Sequence, residues 1–381
     1  MTDPLQVVER VLQIVEESRT TSTYKLAVLL GLIDLCMEAD ARGLPPQVVT
    51  TQQLAARVLA LYWPQIRRWT GPSTDRLAET DQVLRQNRRS RLPTGELRNP
   101  ATILRLAAEL RHTADGTLSV GAGIERVRRQ LPEAYDAVLL DVEWTLITMP
   151  LPKLQRIAGQ DLELLYTIDW DDRRNLPSRR AFKESRAGRS AAFDNRIQFV
   201  DPAVPLAFAR LSGLLRPFIE QRWVQLVAQM NGLEDARLHA FLFGASRVDL
   251  GPVREPLLAA QRGRCFYCGS RTAEPEVDHF LPWSRTDDNG LCNLVAACGA
   301  CNGSKRDHLA ALPHLDRWLG RPPETLRGLA AETGWAVGAT RTLGLARTLY
   351  LGLPAETRLW SKGRTGFEAV DPAAVRRRLV G

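Results

Sequence analysis

The chain has 381 residues, 44% hydrophobic and 25% charged, which is enough for two or three domains with proper cores and excludes a disordered protein. No run of about 18 apolar residues offers a membrane span, and Met1-Thr-Asp-Pro carries no basic and apolar leader, so the cytoplasm is the expected compartment. Of 51 basic residues five are Lys and 46 Arg; the net charge of +8 favours a polyanionic partner by long-range steering, although arginine bias has a second source in a GC-rich genome.

Leu5, Val8, Leu12 and Val15 recur at helical spacing behind Asp3 and Pro4, so a helix is expected over 3–18 with Asp3 as its N-cap. Residues 22–39 are apolar nearly all round and read as a central buried helix, in which Cys36 is a small hydrophobe. A third helix starts at Thr50 and stops near Pro64. Helices of this kind suit a plain bundle or a helix-turn-helix-like reader.

Residues 85–91, R-Q-N-R-R-S-R, form a basic run that reads as a solvated face or as a phosphate-contact surface. Helices at 101–112, 124–130 and 135–149 follow, with Pro132 as an interruption and Pro150-Leu-Pro152 as the end. Leu164–Trp170 is the best strand candidate of the first half. Behind it, 173–196 holds eight Arg or Lys against Glu184 and Asp194, and reads as a mobile basic loop: a bare surface segment or a DNA-backbone contact.

Helices return at 204–215, at 217–230 behind Pro217, at 235–243 and at 253–262, with Phe218 and Trp223 in the core. Farther on, 308–319, 324–333 and 338–351 read as helices and 371–379 as a short basic tail. The expected layout is a largely helical N-terminal region over 1–250 for targeting, DNA binding or sensing, a small module over 251–315, and a helical C-terminal cap over 316–381.

The chemistry is concentrated in that small module. It reads Cys265-Phe-Tyr-Cys268, Val277-Asp278-His279-Phe280, Asn293-Leu-Val and Cys298-Gly-Ala-Cys301-Asn302-Gly-Ser-Lys305. Each C-x-x-C pair is a knuckle whose thiolates take two corners of a tetrahedron, so Cys265, Cys268, Cys298 and Cys301 complete a closed structural Zn²⁺ shell. Asp278, His279, Asn293 and Asn302 are not needed for that shell, and their types suit a hard cation, a phosphate and a general base. His279 is the expected base, because neutral imidazole can take a proton from water near pH 7. Asp278 is the expected carboxylate ligand of a catalytic Mg²⁺ or Mn²⁺. Neighbours on a regular strand point to opposite faces, so for both to serve one site the pair should lie at a strand end or a distortion.

The order of these residues resembles the zinc-stapled form of the HNH endonuclease family over roughly 254–310. The resemblance implies a ββα-metal core, hence a mainly α multidomain chain with one small α+β nuclease module. It implies metal-dependent hydrolysis of DNA phosphodiester bonds, in a setting such as bacterial anti-phage defence or restriction. By the same resemblance Asn302 is the second metal ligand, standing where other members have His, and Asn293 braces the loop that carries the base. Lys305 and Arg306, at the N-terminal half of a helix, are expected phosphate contacts. One active site per chain implies nicking, or a homodimer for double-strand breaks; an activating partner felt by residues 1–250 is a further expectation. The rival from another class is a zinc-stapled nucleic-acid-binding protein without catalysis. Cys292 reads as a buried filler, and His112, His239, His308 and His314 as packing or surface residues.

Overall fold

The structure, a computed structural model, describes residues 3–17, 21–69, 83–87, 102–118, 123–171, 174–233, 237–244, 249–286 and 288–381. The chain divides into two compact units, Met1–Cys36 with Pro46–Ser246, and Met37–Pro45 with Arg247–Gly381. These units do not follow the expected boundaries, because residues 37–45 and 316–381 both group with the module. Among the described residues no helix is long and apolar enough to cross a membrane.

The first unit is built on the helix Tyr24–Cys36, in which every residue except Lys25 is buried. A helix without a polar face must be covered on all sides. Thr51–Tyr62, Ala203–Arg210 and Ser212–Asn231 supply that cover, with Pro150–Lys153 at one end. Gly31 permits a close approach by Thr51–Tyr62, since a Cβ there would lie 2.8 Å from Leu54 Cδ1. The packing is that of a helical bundle.

Thr51–Tyr62 begins with a capping box, in which Thr50 Oγ1 accepts from Gln53 N–H and Gln53 Oε1 accepts from Thr50 N–H at 2.8 Å. The first helix is Pro4–Glu17, but its buried stripe is Val7, Val11, Ile14 and Val15, while Leu5 is exposed. Two apolar stripes share this segment, and the one with the full i, i+4, i+7, i+8 pattern goes inside. Pro132 starts the helix Pro132–Thr148 instead of interrupting it, since the first turn needs no N–H from it. Pro217 lies inside Ser212–Asn231, so that helix starts earlier than expected and forgoes one backbone bond.

The expected strand over 164–170 is paired only at Tyr166–Thr167, at one edge of a three-stranded antiparallel sheet whose middle strand is Arg196–Phe199 and whose other edge is Val48–Thr50. Leu165 and Tyr166 give their N–H groups to Gln155 Oε1, which takes them out of any longer ladder.

The reading of 173–196 as a mobile loop is corrected over the described residues. Arg179–Arg186 is a helix capped by Ser178 and anchored by the fully buried Phe182 between Trp144 and Phe193. Its charges have partners: Arg179 and Lys183 meet Asp141 at 2.7 and 3.3 Å, Arg180 meets Glu184, and Arg186 meets the buried Glu143, which also accepts from Thr51 Oγ1. The segment is a folded surface helix anchored by Phe182, with its charges paired. Residues 172–173 and 88–91 lie outside the described residues. At the start of the other run, Gln86 is buried between Gln65 and Trp223, and Arg85 N–H is bound by Asn231.

In the second unit, Gly251–Ala260 leads into two antiparallel strands, Pro275–His279 and Leu294–Cys298, paired from Pro275↔Cys298 to His279↔Leu294. The helix Gly299–Lys305 follows at once, giving a ββα arrangement. Its core runs without a break from Val253 through Phe280 and Trp318 to Trp360 and Leu379. The later helices Leu312–Leu319, Pro323–Thr333, Ala339–Leu351 and Pro372–Leu379 therefore complete the module's own core. Arg358–Lys362 and Gly366–Ala369 form a hairpin that was not expected. Phe280 stacks on Trp318 with ring centres 4.7 Å apart. Arg317 donates to the carbonyls of Phe266 and Tyr267, and Arg321 to those of Cys292 and Leu294, so two of the arginines satisfy backbone within this unit. Burial lowers Arg321 to about 10. Residues 37–45 are tied in by Thr348 Oγ1, which donates to Met37 O at 2.5 Å, and by the ion pair of Arg341 with Glu38.

Candidate active site

The four knuckle thiols lie within 4.8 Å of one another, and Cys268 Sγ is 3.9 Å from Cys298 Sγ. A tetrahedron with Zn–S bonds of about 2.3 Å has edges of about 3.8 Å. The donor set is all sulfur and closed, as a structural Zn²⁺ requires. Gly269, at φ +71°, turns the first knuckle so that its N–H reaches Cys265 O and Ser270 O reaches back to Cys265 N–H. Cys298 caps the helix Gly299–Lys305, and Cys301 sits in its first turn.

His279 is the last residue of its strand. Its Nε2 is 2.9 Å from Asn289 Oδ1 and its ring lies 5.1 Å from that of Trp283. Burial lowers its pKa below the ordinary histidine value, against the opposing pull of the Asn289 bond and the Asp278 charge. The shift favours the neutral ring, the form a base needs.

Asp278 is turned toward Tyr267 and the helix Gly299–Lys305. Its Oδ2 accepts from Tyr267 Oη at 2.5 Å and sits 3.0 Å from Lys305 Nζ. Lys305 is fully buried and also donates to His279 O at 2.8 Å. Its expected role as a phosphate contact is corrected: the ammonium is spent inside, neutralising Asp278. Burial depresses the Lys305 pKa while Asp278 opposes the fall, and burial followed by Asp278 raises Tyr267. Arg306 is exposed at the helix C-terminus, with φ +49°, a conformation unusual for a residue with a side chain.

Asn302 donates from Nδ2 to Glu276 Oε2 at 2.6 Å, leaving its carbonyl oxygen as the donor atom for a metal. Glu276 was missed in the sequence, although it precedes Asp278 by two and so shares its strand face. Asp278 and Glu276 on the strand and Asn302 on the helix offer oxygen atoms, a donor type that suits Mg²⁺ or Mn²⁺ and does not duplicate the sulfur shell.

Asn293 directs its side-chain hydrogen bonds to the loop backbone. Fully buried, it accepts from Leu281 N–H at 2.7 Å and donates to Leu281 O and Asp288 O at 3.1 and 2.9 Å, closing the loop between the strands. Asn293→Ala should leave those three groups without partners and cost about 3 kcal/mol, from roughly 1–3 kcal/mol for each buried group left unsatisfied. Urea unfolding of the full chain measures it, and a loss below about 1 kcal/mol would remove the brace from the account.

Cys292 is buried, and its carbonyl accepts from Trp318 Nε1. His314 packs on Trp360 and bonds Ser361 O through Nε2, His308 packs edge-on to Phe367, and His239 lies 3.4 Å from Glu220.

Two family models match the chain: a domain of unknown function, DUF8808, over residues 4–242, and HNH endonuclease over residues 265–311. No curated protein matches it, and no solved structure does.

Proposed function

We infer that this chain, which belongs to the DUF8808 family through residues 4–242 and carries an HNH endonuclease module at 265–311, is a divalent-metal-dependent endonuclease that hydrolyses DNA phosphodiester bonds. The observation that carries the reading is the HNH endonuclease match over 265–311, in which His279 ends its strand outside the four-thiol cluster.

Asp278 and Asn302 would hold the cation, with Glu276 behind Asn302. Bound Mg²⁺ or Mn²⁺ would supply charge on the phosphate and on the leaving oxygen. His279 accepts a proton from water as the water oxygen forms its bond to phosphorus. The opposite P–O ester bond breaks, and its oxygen leaves with the electron pair and takes a proton from a solvent water. Lys305 and Tyr267 orient the Asp278 carboxylate through Oδ2, which leaves Oδ1 for a metal.

The N-terminal region is assigned targeting, DNA binding or sensing, in a setting such as defence or restriction, and the free thiols fit a reducing cytoplasm. A zinc-stapled binder without catalysis is the second reading, favoured by the engagement of Asp278 with Lys305. The test is conversion of supercoiled plasmid with Mg²⁺ or Mn²⁺ present or omitted; omission is preferable to chelator, which would also attack zinc. Nicked circles that form only with added metal are expected. Plasmid bound but uncut under every metal condition would leave the binding reading.

A further inference from the structure

We propose that Asn289 is a positioning residue for His279, and that Trp335–Thr342, a segment outside the HNH module, holds Asn289 in place. The inference rests on the reading of His279 as the base.

An amide oxygen can only accept, so Asn289 Oδ1 at 2.9 Å requires the proton of His279 to sit on Nε2. The lone pair is then on Nδ1, and the ring cannot turn over without losing that bond. Trp283 packs on the ring from the same loop. The hydrogen bond thus selects both the tautomer and the direction of the base.

A short loop would not by itself hold an amide to that accuracy. Here the loop is gripped from a distant stretch of chain. Trp335 Nε1 donates to Asn289 O at 2.6 Å. Leu291 N–H and Cys292 N–H donate to Ala336 O and Val337 O, each at 2.9 Å. Thr342 Oγ1 donates to the buried Asp288 Oδ2 at 2.5 Å, and Asp288 Oδ1 in turn accepts from Gly290 N–H. Gly290 makes the contact possible, because a Cβ there would lie 2.9 Å from Val337 O and 3.2 Å from Gly338 Cα. On both sides of Asn289 the backbone is therefore fixed by residues that lie beyond 311, where the HNH match ends.

The test uses full-length Asn289→Leu, Asn289→Asp and Trp335→Phe beside the parent and His279→Ala. Leu keeps the size of Asn289 and cannot accept, whereas Asp accepts the same bond. Asn289→Leu should slow single-turnover cleavage roughly 10–100-fold, the range for outer partners of functional histidines, with DNA affinity and zinc content unchanged. Asn289→Asp should recover most of that loss, and Trp335→Phe should show a smaller fall of the same kind. Ring ¹⁵N spectra of the five histidines give a readout without cleavage: one should be fixed as the Nε2–H tautomer in the parent and mixed in Asn289→Leu. Parent-like rates and spectra for Asn289→Leu, or an Asp variant as slow as Leu, would overturn the proposal. If His279→Ala also cuts like the parent, the nuclease reading of His279 fails; if only Asn289→Leu does, the positioning role alone fails.

Discussion

Cys268→Ser is expected to release zinc, loosen the second unit and abolish cleavage together. Structural zinc supplies on the order of 10 kcal/mol of folding energy to a small module, and serine offers no thiolate to replace the lost corner. The geometry adds a direct route to the active site. Tyr267 lies between the two cysteines of the first knuckle, its hydroxyl is on Asp278 Oδ2, and its ring packs edge-on to Trp360. Phe266 N–H, from the same knuckle, is bound to Ala296 O of the second strand. A knuckle without metal therefore lets go of the Asp278 carboxylate and of the hairpin at once. Zinc per chain, melting temperature and cleavage should fall as a set. A variant that keeps about one zinc per chain would show that the four thiols are not the shell described above.

His279→Ala should separate what Cys268→Ser destroys together. The imidazole belongs to neither metal set, and the groups it leaves behind are Asn289 Oδ1 and the face of Trp283. One lost hydrogen bond at a half-buried loop costs about 1–2 kcal/mol, which the second unit's core can absorb. Removing a general base typically costs about 10²–10⁴ in rate. Zinc content, fold and DNA affinity should stay near the parent while the rate falls by that factor. Asp278→Ala is a poorer probe than the residue types alone suggest. It would leave the Lys305 ammonium buried without its carboxylate, so instability would be mixed with lost metal binding.

The parts of this molecule that were legible in the sequence are those set by local spacing. C-x-x-C pairs announce a tetrahedral shell, and an all-round apolar run announces a central helix, because each constraint acts within a few residues. Alternation requires the Asp278–His279 pair to lie at a strand end or a distortion if both serve one site, and His279 is the last residue of its strand. What escaped depends on partners far away in the chain. Lys305 reads as a phosphate contact until the strand above it places Asp278 Oδ2 and His279 O on its ammonium. The charges of 173–196 read as free until Asp141 and Glu143, some forty residues upstream, are folded against them. Nothing in the local spacing marks Asn289, since its place depends on Trp335 from outside the motif. The hairpin of Arg358–Lys362 with Gly366–Ala369 was hidden for a plainer reason: its strands are five and four residues long, and their burial does not alternate.

The most direct measurement is the single-turnover rate of plasmid nicking by the zinc-loaded parent and by zinc-loaded His279→Ala, in Mg²⁺, at enzyme concentrations that saturate the DNA. The account predicts equal DNA binding, equal zinc content, and a rate for the variant lower by about 10²–10⁴. Equal rates for the two proteins would contradict it, and would remove His279 from the chemistry.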